Sequence, residues 1–308
     1  MPGKVFVTGG SGFVGQSILD ELLSRGYGVN ALTHRGAIKA GSQNIQSIKG
    51  DLFDAAALRE GMQGCIAVIH VVGIIMEKPS KGITFERIHY QGAKNVVDAA
   101  KAAGIKRYIH MSALGTRSDA VSNYHKTKFK AEQYVRASGL DWTIFRPSMI
   151  HGPTGEFMRM EAAWARHQKP PFAFMPYFGR GLLGLGGAGK LQPVYVNDVA
   201  RAFVDAIDKP NTIGEVFPLG GPDEITWPHM HTIAGEAVTG RKPLVVALPA
   251  WYAKILASTL PKAMLPFNGD QVIMSQENNT CDTTKFQDEF GWETQGFEST
   301  VKSYAAQL

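Results

Sequence analysis

Tyr124 and Lys128, in the stretch YHKTK, stand four residues apart, and so do Tyr90 and Lys94 in YQGAK. On a helix, positions i and i+4 share a face. An ammonium there favours the phenolate and lowers a tyrosine pKa that is otherwise about 10, so the phenol can exchange a proton near neutral pH. The lysine can also hold the ribose of a nicotinamide cofactor. Spacing does not separate the two copies, so their surroundings must. YHKTK opens the helix that follows the fifth expected strand, whose C-terminal end faces the crevice of a parallel sheet. YQGAK lies one sheet segment earlier. The Tyr124 pair is the better placed.

A second chemical signal lies at the N-terminus, where TGGSGFVG sets Gly9, Gly12 and Gly15 at intervals of three between a strand pattern and a helix pattern. Glycines at such a turn let the backbone approach a pyrophosphate, and the helix N-terminus offers N–H groups and partial positive charge. The next strand ends in LTHRG. An NAD site would put an acid there for the ribose hydroxyls, but none occurs between Val29 and Gly50, whereas Arg35 and then Lys39 do. Arginine suits a 2′-phosphate, so NADP(H) is expected over NAD(H). Asp51, in GDL, either reaches the adenine amine or caps the following helix. GLGGAGK (184–190) mimics a phosphate loop, but Leu191 replaces the metal-binding hydroxyl and a strand pattern follows, so it reads as a loop.

These residues need a frame. Strand patterns at 4–10, 28–35, 45–52, 65–73, 106–115 and 141–152 alternate with helical patterns at 15–26, 54–62, 92–104 and 123–139. Such alternation means βαβ crossovers and hence a Rossmann-type α/β fold, a doubly wound parallel sheet covered on both faces. Residues 1–155 form the expected nucleotide-binding domain, with 191–207 rejoining it. Residues 156–308 form a smaller, substrate-side C-terminal subdomain, in which 170–190 reads as a long irregular loop. In that part Trp251, Tyr252, Ile255, Leu256 and Leu260 form one apolar helix face, read first as core and otherwise as a substrate pocket or partner surface. His70 and His110 read as satisfied core histidines. His229 and His231, at i and i+2, make a poor metal site, and no metal is expected.

With 44% hydrophobic and 19% charged residues, the composition is that of a globular enzyme. The net charge of +5 is scattered rather than run together, so no nucleic-acid partner is expected. Two isolated cysteines and the lack of a secretory pattern point to a reducing, cytoplasmic setting. The longest apolar run, CIAVIHVVGIIM, is too short to span a bilayer. Oligomeric state is not legible.

Taken together, TGGSGFVG, GDL, HVVG, YHKTK and FRPSMIHGP resemble the extended short-chain dehydrogenase/reductases over about the first 155 residues, and QPVYVNDVA continues the likeness. In finer detail the chain is similar to the atypical branch that includes the Rossmann-type accessory subunit of respiratory complex I and its bacterial epimerase/dehydratase-like relatives. The resemblance implies cofactor contacts at Gly9, Ser11, Gly12, Phe13, Val14, Gly15, Arg35, Asp51, Leu52, Val72, Gly73, Tyr124, Lys128, Pro147, Ser148 and Met149. It implies catalysis by Tyr124 and Lys128, with Ser112 orienting a carbonyl. Two positions depart from the family: Ala113 stands where the active-site serine is expected, and His89 where a structural asparagine is expected. The expected function is an NADP(H)-dependent oxidoreductase acting on an apolar carbonyl or quinone-like small molecule. The alternatives are a non-catalytic NADP(H)-binding structural or redox-sensing protein and, further off, a nucleotide-sugar epimerase or dehydratase. Association with a membrane periphery or a respiratory complex is left open.

Overall fold

The computed structural model describes residues 2–34, 44–259 and 267–308. From the N-terminus, β1 (Lys4–Thr8) leads into α1 (Phe13–Ser24), β2 (Gly28–Thr33), β3 (Ile45–Lys49), α2 (Ala55–Gly61) and β4 (Cys65–His70). A π-helical turn (Glu86–Gln91) then opens α3 (Gly92–Ala102), followed by β5 (Arg107–Met111), α4 (Asn123–Arg136) and β6 (Asp141–Pro147). Next come β7 (Ile150–His151), α5 (Glu156–Ala165), β8 (Met175–Gly179), β9 (Lys190–Leu191), β10 (Val194–Tyr195) and α6 (Val196–Asp205). The chain continues through β11 (Glu215–Leu219), β12 (Ile225–Thr226), α7 (Trp227–Thr239) and β13 (Val245–Pro249). It ends in α8 (Ala250–Thr259), α9 (Gly269–Gln276), α10 (Thr284–Phe290) and α11 (Phe297–Tyr304).

Two compact units result, one of Met1–Pro147, Val196–Leu219 and Thr283–Trp292, the other of Ser148–Tyr195, Gly220–Asp282 and Glu293–Leu308. The first holds a seven-stranded sheet in the order β11-β6-β5-β4-β1-β2-β3, with every pairing parallel. Strand order reverses between β1 and β4, which opens a crevice beyond their C-terminal ends. The sheet is covered on both faces, so β1 and β4 read as runs of apolar residues rather than as alternating patterns. One face buries Phe6, Val68, Val96, Val97, Tyr108 and Ile144. On the other, α6 packs on α1, and Phe203 lies against Phe145 of β6 with ring centroids 4.7 Å apart.

Helix boundaries follow local chemistry. Helix α1 closes with Gly26 at φ 79°, the left-handed geometry glycine tolerates, as Gly26 N and Tyr27 N donate to Leu23 O and Leu22 O. Asp54 caps α2 through Ala56 N and Ala57 N, and Ser122 caps α4 through His125 N. The cap on α2 is thus Asp54 and not Asp51, whose carboxylate accepts from Phe53 N at 2.7 Å.

Three sequence expectations change. The segment read as an irregular loop contains β8, which pairs in parallel with β13. Its partner lies about seventy residues on and gives no local signal. The strand within 191–207 does not enter the large sheet: β10 pairs with β7 in the second unit, while α6 lies in the first. The seventh strand is β11, beside β6. The α8 face read as core is exposed at Trp251, Tyr252 and Ile255 and half-buried at Leu256, while Leu260 lies outside the described residues.

Arg107 joins the far side of the sheet to the segment after α6. Its guanidinium, 8% exposed, donates to Asp141 O at 2.7 Å, to Thr143 Oγ1 and Thr212 Oγ1 at 2.8 Å, and to Ala206 O at 3.0 Å from Nε. Among the described residues no carboxylate hydrogen-bonds to it, and burial lowers its pKa to about 10. Charged hydrogen bonds of this kind contribute about 1.5–3 kcal/mol, and each orphaned acceptor adds a desolvation cost. Arg107→Met should therefore lower unfolding stability by about 3 kcal/mol in urea titration. Arg107→Lys should recover little of it, because an ammonium lacks the planar fork. Full recovery by lysine would show that charge rather than geometry is what matters.

Candidate active site

The turn after β1 is shaped by an absence of side chains. A Cβ on Gly15 would lie 2.0 Å from Gly9 O, and one on Gly9 would meet Val72 N at 3.1 Å, with Gly9 itself at φ 82°. Helix α1 can therefore sit directly on the turn, and the turn against the end of β4. Gly12 N donates to Gly9 O at 3.0 Å and Gln16 Nε2 to Gly10 O at 2.9 Å, which fix the loop from within. Among the described residues no side chain caps α1 and no acid lies in its first turn, so its first N–H groups are left without a side-chain acceptor. Ser11 and Gly12 are exposed, and Phe13 and Val14 half-buried. This cradle fits an anionic dinucleotide.

Across the crevice, α4 carries Tyr124 and Lys128. Lys128 is 2% exposed, and its Nζ donates to Met111 O at the end of β5, 2.9 Å away. The same Nζ would lie 3.3 Å from a Cβ on Gly73, a close contact that glycine avoids beside the β4 end. Burial lowers its pKa from 10.5 to about 8, although the carboxylate of Glu132 opposes the shift. Glu132 is itself fully buried and held by Arg146 of β6 at 2.6 and 2.8 Å. This Glu132/Arg146 support was missed from the sequence, although Lys128, Glu132 and Arg136 recur at four-residue spacing on α4.

Tyr124 stands edge-on to Phe85 and His89, with centroids 5.8 and 5.2 Å away. Among the described residues its hydroxyl has no hydrogen-bond partner. Burial pushes its pKa up to about 12, opposite to the lowering expected from the lysine, because Nζ is turned to Met111. The π-helical turn brings in His89. Its Nδ1 lies 3.0 Å from Thr127 Oγ1, and its Nε2 3.1 Å from both Ile74 N and Ile74 O. The Thr127 hydroxyl can also donate to Asn123 O or Tyr124 O. Either neutral tautomer meets these contacts: Nδ1 donates to Thr127 while Nε2 accepts from Ile74 N, or Nε2 donates to Ile74 O while Nδ1 accepts from Thr127. Burial and the nearby Lys128 drive the His89 pKa down to about 2, so the ring is neutral.

Ser112 is buried after β5 with its hydroxyl 3.3 Å from Thr116 Oγ1, and Ala113 beside it is half-buried. Val72 and Gly73 end the β4 segment, and Pro147 O accepts from Leu114 N. Leu52 is buried, its carbonyl accepting from Asn95 Nδ2. Ser148 and Met149 fall in the second unit, where Ser148 bonds to Asn279 and Met149 O accepts from Val194 N. Arg35 and Lys39 lie outside the described residues.

The rival pair is spoken for elsewhere. Lys94 pairs with Asp98 at 2.6 Å, and the Tyr90 ring meets Tyr134 and the ammonium of Lys130. His70 is buried and shares a hydrogen bond with Thr8 Oγ1 at 2.7 Å. His110 is equally buried, but neither ring nitrogen has a partner among the described residues, so it is not the satisfied histidine expected. Among those residues there is no metal-binding cluster and no helix long and apolar enough to cross a membrane.

Residues 9–163 match the NAD(P)H-binding family. A ceramide reductase of Caulobacter vibrioides is 33% identical over 251 residues, which span 80% of this chain and 74% of that protein. The chain belongs to the NAD(P)H-binding, extended short-chain dehydrogenase/reductase-like family. Another relative in this group is the mitochondrial NADH dehydrogenase [ubiquinone] 1 alpha subcomplex subunit 9 of Arabidopsis thaliana. It is 29% identical over 304 residues, 92% of this chain and 72% of that one. The fold also matches a Thermotoga maritima UDP-glucose 4-epimerase structure with a TM-score of 0.75 and 21% identity, covering 99% of this chain and 98% of that one. The sheet, the glycine turn and the helix that carries Tyr124 and Lys128 all lie within the first unit.

The lysine yields a stability test. Its folded pKa of about 8 lies below 10.5, so between these values the unfolded chain holds the extra proton and stability rises with pH. Below that window the whole penalty stands, on the order of 3 kcal/mol. Lys128→Met removes it but forfeits a charged hydrogen bond of about 2 kcal/mol. Near pH 7 the variant should be about 1 kcal/mol more stable than the parent in urea, and the gap should close by about pH 10. A variant already less stable near pH 7 would contradict the burial penalty.

Proposed function

We propose that this protein is an NADP(H)-dependent reductase of an apolar carbonyl or quinone-like compound. The observation that carries the reading is the buried Lys128 ammonium beside Gly73, one helical turn from Tyr124, at the end of the strand segment whose Val71 and Val72 the glycine turn packs against. When bound, the nicotinamide would supply the hydride. The protein's part is to bind, orient and move one proton. The α1 N-terminus and the glycine backbone hold the pyrophosphate, and Lys128 turns donors not used by Met111 toward the nicotinamide ribose. Tyr124 is protonated at neutral pH and donates its phenolic proton to the carbonyl oxygen as charge develops there. Ser112, released from Thr116, orients that oxygen in place of the serine that Ala113 replaces. His89, neutral and fixed at both nitrogens, positions the Tyr124 ring. Because burial raises the phenol's pKa, Tyr124 carries its proton near neutral pH and enters the reaction in the protonated form that a carbonyl reduction needs.

The ceramide reductase relative supports an apolar substrate. Arg35 supports the 2′-phosphate, on sequence position alone. A second reading is that of a non-catalytic NADP(H)-binding protein. It is favoured by Ala113, by His89 and by the likeness to the Arabidopsis subunit of an NADH dehydrogenase subcomplex.

Two variants separate these readings. Tyr124→Phe should cut NADPH-dependent reduction across a panel of apolar aldehydes and ketones by about a hundredfold or more, while NADPH affinity stays nearly unchanged. Activity that survives the substitution removes the proton-transfer role; no activity in either form favours the binding protein. Arg35→Glu should turn a preference for NADPH toward NADH in fluorescence titrations, and an unchanged ratio removes Arg35 from cofactor choice.

A further inference from the structure

Six large apolar side chains of the second unit stand in solvent on two adjoining segments. Leu182, Leu183 and Leu185 are 77%, 70% and 77% exposed, and Trp251, Tyr252 and Ile255 are 48%, 45% and 49% exposed. The leucines are held there by design of the backbone. Arg180 N donates to Gly187 O at 2.7 Å and Gly186 N to Arg180 O at 2.9 Å, closing a small loop. Gly184 N donates to Gly181 O, so Leu182 and Leu183 are the two central residues of a tight turn at its tip. Gly181, Gly184 and Gly187 all have φ between 75° and 81°, a geometry that side chains disfavour. The loop is tied to α8 by Trp251 Nε1, which donates to Leu182 O at 3.0 Å. On α8, Trp251 and Ile255 share the outward face by four-residue spacing, while Ala253 points inward at 1% exposure.

Charge narrows the occupant. No aspartate or glutamate occurs between Glu161 and Asp198, or between Glu236 and Asp270, the two stretches that contain this surface. Arg180 and Lys254 flank it, both exposed. Two copies meeting through this face would bring like charges together, and an apolar core would not leave leucines at a turn tip. We propose that residues 181–187 and the outward face of α8 dock this protein on an anionic lipid bilayer. The leucines enter the acyl boundary, the Trp251 and Tyr252 rings sit at headgroup depth, and the cations meet anionic headgroups. Attachment is peripheral, and it is independent of the cofactor reading.

The test is flotation of the full chain with vesicles of phosphatidylcholine alone or mixed with phosphatidylglycerol. Binding is expected to the mixed vesicles and to weaken with salt. Leu182→Asp/Leu183→Asp/Leu185→Asp should lower vesicle partitioning about tenfold or more, and Ile255→Glu on the other segment should lower it too. NADPH binding and circular dichroism should stay unchanged in both, since none of these residues lines the cofactor site. Absence of parent binding to the mixed vesicles overturns the proposal, as does binding that both variants retain. A parent dimer that the leucine variant dissociates, without any effect on vesicles, would instead make this an interface between copies.

Discussion

A primary ammonium buried at the sheet's C-terminal edge and hydrogen-bonded to the backbone carbonyl of Met111 is the constraint around which the site is organised. Such a group is disfavoured by desolvation, and Lys128 shows this in its lowered pKa. It persists because α4 is anchored on several sides. Ser122 starts the helix, Glu132 fixes it to Arg146 of β6, and Thr127 links it through His89 to the end of β4. Gly73 leaves the room the ammonium occupies. A side chain held at such expense, beside the end of the β4 segment against which the glycine turn packs, is placed for a ligand rather than for stability.

The glycine turn and the lysine depend on one another through the sheet order. Because β1 and β4 are neighbours, the turn after β1 touches Val71 and Val72, and the segment after β4 touches Lys128. The crevice is a product of the reversal in strand order, and each half of it would be an ordinary loop without the other. The phenol shows the same dependence. In the protein alone its pKa rises through burial, so its role as a proton donor follows from its environment more than from the lysine spacing.

Much of the first unit was legible because each βαβ segment carries its own apolar run, amphipathic helix and glycine stop. What failed to show was long-range. Strand β8 is stabilised by β13 and carries Pro176 in a two-stranded edge, so neither its pattern nor its length marks it. Strand β11 reads as ordinary polar-apolar sequence until it lies beside β6. The choice between Tyr124 and Tyr90 came from element order, and the separate partners of Lys94 and Tyr90 agree with it. Spacing misled on the phenol's pKa, since i and i+4 residues share a face without their polar ends having to meet. It also misled on α8, whose apolar stripe turns outward, because periodicity locates a stripe but not the side on which water lies. The buried histidines show a further gap: His70 found Thr8 and His110 found no partner, a difference decided by which side chains the neighbouring strands supply.

The central claim is that Lys128 is held for a nicotinamide dinucleotide, and it is tested most directly by titrating NADPH into the parent and into Lys128→Met near pH 7, following nicotinamide fluorescence. The account predicts tight binding by the parent and about tenfold or more weaker binding by the variant, as expected for loss of a charged hydrogen bond, even though the variant's fold is intact. Equal affinity in the two proteins would mean that the ammonium does not touch the cofactor, and the site would have to be rebuilt around the glycine turn alone.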